Sequence, residues 1–117
     1  MFRDTLVLTK NVGSVDLKAD VSCLGRDLLV TLVGGEAHIG AAALGAFNER
    51  SYSSVITVCD HRDDLIAKEA ALRISKELKC TCVVIVGIHV RNASEQQICQ
   101  IVETSFELVN ELIEAIK

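Results

Sequence analysis

Between Val15 and Leu24 the chain alternates strictly: Val15, Leu17, Ala19, Val21 and Cys23 are interleaved with Asp16, Lys18, Asp20 and Ser22. A period of two places the first set on a core and the second in water, which predicts a half-buried strand. Gly25-Arg26-Asp27 reads as a tight turn. Leu28 to Val33 is more uniformly apolar and suits a central strand. Gly34-Gly35 breaks that run, most simply as a hairpin turn. Ile39 to Phe47 is expected to resume the sheet; its Gly40, Ala41, Ala42, Ala43, Gly45 and Ala46 would let another backbone approach closely. Thr5 to Thr9 and Ser54 to Cys59 predict two further strands.

The period then changes. From Asp63 to Leu78, Ile66, Ala70, Ile74 and Leu78 fall on one helical face, with Lys68, Glu69, Arg73, Lys76 and Glu77 outside it. Thr81 to Ile88 returns to a strand. Ser94 and Gln97 form a Ser-x-x-Gln capping box that opens a second helix. Its stripe runs through Ile98, Ile101, Val102, Ser105, Leu108, Val109, Leu112, Ile113 and Ile116. Strands first and helices late imply an α+β fold: a mostly antiparallel sheet with the two helices of the C-terminal half packed on one face. If the strands flanking the first helix run parallel in that sheet, their C-terminal ends share one edge.

Composition narrows the class. The 117 residues suit one domain spanning 1–117, with no linker or repeat and no proline. Half of the residues are hydrophobic but only 3% are aromatic, so the core is built from Val, Ile, Leu and Ala. A net charge of −4 with no basic stripe argues against nucleic-acid binding. The apolar runs are strand-length, well short of the ~18 residues of a membrane span. Five cysteines and no export signal point to the cytoplasm and to free thiols. Most of these thiols are expected to be small buried hydrophobes.

Candidate chemistry gathers at strand ends. His38 follows the Gly34-Gly35 break, His61 follows Cys59-Asp60, and His89 follows Gly87-Ile88. A polar rim is expected from Gly34–Gly40, Asp60–Asp64 and His89–Asn92. Glycines there would admit a ligand to the backbone, and the start of the first helix suits an anion. Each feature also has a plainer structural account: Asp60 or His61 as a helix cap, Asp63 and Asp64 as first-turn acids, and His89 as a loop histidine. No His-x-x-x-His or Cys-x-x-Cys spacing supports a metal, so none is expected. Phosphate-loop, nucleophile-elbow and dinucleotide fingerprints are absent.

Three segments occur in order: Gly34-Gly35-Glu36-Ala37-His38-Ile39-Gly40-Ala41, Asp60-His61-Arg62-Asp63-Asp64, and Gly87-Ile88-His89-Val90-Arg91-Asn92. Together they resemble the LpdD-like family, the small D subunit of gallate-type decarboxylases, described as prenylated-flavin chaperone-like and similar in fold to proteasome assembly chaperones. The resemblance runs from about Asp16 into the second helix. Asp60 and Arg91 depart from the family's pattern, which favours glycine and an acid there. The resemblance implies a self-associating, non-catalytic subunit of a UbiD-like decarboxylase that handles prenylated FMN or FMN. The expected cofactor-binding residues are Gly34, Gly35, His38, Gly40, His61, Arg62, Asp63, His89, Arg91 and Asn92. Two alternatives are a protein-assembly chaperone with no small ligand and a small histidine-dependent hydrolase.

Overall fold

The computed structural model describes residues 5–58 and 61–117, and for His61 the backbone only. Strand β1 (Leu6–Val12) turns at Gly13-Ser14 into β2 (Val15–Leu24), and β2 turns at Gly25-Arg26 into β3 (Asp27–Gly35). Next come β4 (Ala41–Asn48), β5 (Arg50–Thr57), helix α1 (His61–Leu78), β6 (Cys82–His89) and helix α2 (Glu95–Ile116). The six strands form one sheet in the order β1-β2-β3-β6-β4-β5. Only β3 and β6 pair in parallel; every other neighbouring pair is antiparallel. The α+β architecture therefore matches the sequence expectation.

Register explains which residues enter the core. Leu17, Ala19 and Val21 of β2 lie opposite Gly34, Leu32 and Val30 of β3, which in turn align with Ile88, Val86 and Val84 of β6. Ala41 and Ala43 of β4 continue the row. All of these face the helices and are buried. Helix α1 covers β4, β5 and β6, and α2 covers β1 and β2. Ala67, Ala70 and Ala71 of α1 are fully buried, and a Cβ on Gly45 would collide with the Ala71 carbonyl. The small residues of β4 thus serve to bring α1 down onto the sheet.

Among the described residues, no helix covers the opposite face. Register places Leu29, Thr31 and Val33 of β3, Val83 and Ile85 of β6, Ala42, Leu44 and Ala46 of β4, and Tyr52 and Ile56 of β5 on it. Leu44, Tyr52 and Ile56 are 51%, 54% and 75% exposed.

Several details differ from the sequence expectation. Gly34-Gly35 is not a hairpin turn: β6 inserts between β3 and β4, so the glycines end a central strand. Strand β4 starts at Ala41 rather than Ile39, because residues 36–40 first cross the end of β6. Strand β5 starts at Arg50; its hydroxyl-rich first half (Ser51, Tyr52, Ser53) carries little apolar signal. Cys59 and Asp60 lie outside the described residues. Of the other thiols, Cys82 is buried, Cys23 and Cys80 are half-buried, and Cys99 is exposed on the outer side of α2, contrary to expectation.

Candidate functional site

The topology delivers several segments to one edge. Strand β6 runs antiparallel to β4, which runs antiparallel to β5, so β5 and β6 point the same way with β4 between them. The C-terminal ends of β3, β5 and β6, the start of β4 and the start of α1 therefore meet there. This is the open-sheet position where connections are free to build a site.

Asp63, in the first turn of α1, is the inner anchor of this edge. It is 2% exposed; its Oδ1 accepts the Ile88 amide at 3.3 Å, and its Oδ2 lies 3.5 Å from His38 Nε2. His38 Nδ1 lies 3.1 Å from the Glu36 carbonyl. That carbonyl can only accept, so Nδ1 carries the proton in this contact. Asp64 accepts from Thr57 Oγ1 at 2.8 Å, tying α1 to the end of β5.

The glycines here meet protein. A Cβ on Gly40 would strike the Asp63 carboxylate, and one on Gly87 would strike the His38 backbone carbonyl. Gly40 is held by two backbone bonds, its amide donating to Val86 O (2.9 Å) and its carbonyl accepting from Val58 N (2.7 Å). The Glu36 amide is also engaged, donating to the His89 carbonyl at 2.8 Å.

Glu36 links the outer part of the rim. Its carboxylate accepts from Arg91 Nε at 2.9 Å and lies 4.0 Å from His89 Nε2. The His38 and His89 rings approach edge to face, 6.3 Å between centroids. On the other flank Arg62 reaches Glu95, in the first turn of α2, at 3.7 Å. Between α1, the end of β6 and α2 lies a chamber of about 300 Å³. Ile66, Ile88, Val90, Ile98, Ile101 and Val102 line it, with Arg62, His89 and Asn92 among its polar residues. Asn92 has a positive φ of 55°, a conformation that asparagine tolerates better than most residues.

Of the sequence-predicted residues, His38, Gly40 and Asp63 form the inner group, and Gly35, His89 and Arg91 gather around Glu36. Gly34 packs against Leu17 and Asp16. Arg62 and Asn92 belong to the chamber. Sequence reasoning missed two things. Glu36 was read only as part of a glycine motif, and the chamber walls only as core stripes of α1, β6 and α2. Among the described residues, no three His, Cys, Asp or Glu side chains are grouped to hold a metal, and no helix is long and apolar enough to cross a membrane.

A six-stranded sheet with two helices on one face and an open opposite face defines a known architecture. The fold is similar to that in a crystal structure of a novel chaperone complex for yeast 20S proteasome assembly, with a TM-score of 0.63 over 96% of this chain and 94% of that one at 10% identity. Membership is more specific: residues 11–117 match the prenylated flavin chaperone LpdD-like domain, and the chain belongs to that family. It is also similar to Protein LpdD of Lactiplantibacillus plantarum (strain ATCC BAA-793 / NCIMB 8826 / WCFS1), 26% identical over 109 residues that cover 90% of this chain and 80% of that protein.

Proposed function

We propose that this chain is a non-catalytic accessory subunit that holds prenylated FMN or FMN for a UbiD-like decarboxylase. Family membership supports the class of role. The observation that carries the ligand reading is the convergence at one sheet edge of the chamber, Arg62 and His89. At about 300 Å³ the chamber lies at the lower end of small-molecule sites, so it would take part of a flavin-sized ligand while the rest lies over the rim. Both arginines already face a carboxylate, Arg91 with Glu36 at 2.9 Å and Arg62 with Glu95 at 3.7 Å, so the longer contact favours the Arg62 side for the phosphate. A fluorescence titration with FMN and prenylated FMN tests this. Saturable binding that is lost in the His61→Ala/His89→Ala and Arg62→Ala variants is expected. Absence of binding to both flavins would refute the ligand reading.

The second reading, an assembly chaperone without a small ligand, is favoured by one feature, the uncovered apolar sheet face. Under either reading this face is the self-association surface. Six strands about 4.8 Å apart and about 25 Å long offer roughly 700 Å² per copy. Two copies face to face would bury roughly 1,400 Å², within the range of stable interfaces. Lys18 and Asp20 of β2 lie 3.6 Å apart on this face, so a two-fold partner could offer each the opposite charge.

A further inference from the structure

We infer that the chamber between α1, β6 and α2 is a subsite for a small aliphatic group bearing an anionic head, and that Arg62 exchanges Glu95 for that anion on binding. The inference deepens the ligand reading above and rests on it for the position of the mouth.

The walls define the body of the ligand. Ile66, Ile88 and Ile101 are nearly or fully buried, and Val90, Ile98 and Val102 are half-buried around them. All six are branched aliphatics. Among the described residues no Phe or Tyr lines the chamber, so a planar ring system finds no stacking partner among them. At roughly 30 Å³ per small group, about 300 Å³ holds a hydrocarbon of about ten heavy atoms at most. The chamber is therefore matched to an aliphatic substituent rather than to an aromatic ring.

The mouth defines the head. The Asp63 carboxylate is turned to the Ile88 amide and His38. Arg62 and His89 supply the donors. The Arg62–Glu95 contact spans 3.7 Å between side chains that are 50% and 85% exposed, and such pairs contribute little to stability. Glu95 also remains well placed without Arg62, because it sits in the first turn of α2, where the helix dipole favours a carboxylate. A phosphate-type oxyanion offers the guanidinium the stronger, bidentate partner. Exchange is thus favourable, and Glu95 acts as a built-in competitor that the ligand displaces.

The test is calorimetric titration of the full chain with 3-methylbutyl phosphate, inorganic phosphate and FMN as separate probes. The alkyl phosphate should bind about ten- to a hundredfold more tightly than inorganic phosphate, the difference being hydrocarbon burial. Arg62→Gln should weaken it about tenfold, and Glu95→Gln should tighten it severalfold. Ala93→Phe, which fills the chamber from the loop before α2, should remove the alkyl advantage. Ile98→Asn, the milder variant should Ala93→Phe disturb folding, should also reduce that advantage. Equal affinity for the two phosphates overturns the subsite, and unchanged or weaker binding by Glu95→Gln overturns the exchange. Alkyl phosphate binding with no binding of FMN here or of prenylated FMN in the fluorescence titration keeps the subsite and sinks the flavin reading. FMN binding that ignores Ala93→Phe, Ile98→Asn and Glu95→Gln does the reverse.

Discussion

Asp63 shows how a residue suited to a helix start becomes the hub of an edge. A first-turn acid is favoured by the helix dipole wherever it points. Here it is buried and accepts the Ile88 amide across the α1–β6 boundary. Asp63→Ala leaves that buried amide without its acceptor, a cost of about 1–3 kcal/mol. Calorimetry should show the melting temperature falling by roughly 5–15 °C; Asp63→Asn, which keeps an acceptor oxygen, should lose less. An unchanged melting temperature in Asp63→Ala would rule out the anchoring role. Cys82 gives a second prediction. Burial pushes its thiol up from an ordinary value of 9.0 to about 12. Below the ordinary value the thiol is neutral in both folded and unfolded chains. Between 9.0 and about 12 the unfolded chain releases the proton and the folded one keeps it, so stability falls as pH rises. Denaturant midpoints measured from pH 8 to 10 should decline, and less so in Cys82→Ala. Iodoacetamide at pH 8 should modify exposed Cys99 well before Cys82.

At the scale of elements, local pattern and pairing separate. The bounds of β2 follow from alternation, because Val15, Leu17, Ala19 and Val21 are buried while Asp16 and Lys18 between them are exposed. Helix α2 follows from a stripe and a cap, and the Gln97 amide does donate to Ser94 Oγ at 3.1 Å. Ser94→Ala should cost about 1 kcal/mol, measurable as a shifted urea midpoint; no shift would mean that the cap adds nothing. By contrast, nothing local to β3 or β4 says that β6 will lie between them. The histidine-bearing rim was visible because strand ends are marked by glycine and polar residues. Glu36 was not, since its partners Arg91 and His89 come from a strand end far away in sequence. The chamber was hidden for a related reason: Ile66, Ile88 and Ile101 belong to three different elements, each of which reads alone as ordinary core.

For the whole molecule the open sheet face is the decisive surface. Charged residues substituted for Leu44 and Ile56, both more than half exposed, would face each other across a two-fold interface. Sedimentation of the unmodified chain should report a dimer, and Leu44→Lys/Ile56→Lys should shift it to monomer with little change in helix content. A monomer at all concentrations would remove the self-association proposal while leaving the chamber untouched.

The single parallel pair at the centre of the sheet also sets an order of events during folding. The β1-β2-β3 meander and the β4-β5 hairpin close through short turns, so each can form early as its segment is made. Neither can join the other directly, because β6, their shared neighbour, is synthesised last among the strands. On that order the two small sheets would form before β6 is available, and the long closure between β3 and β6 is the expected slow step. Val84→Ala, at the middle of that closing strand and fully buried, should therefore slow refolding more than a turn substitution of equal equilibrium cost.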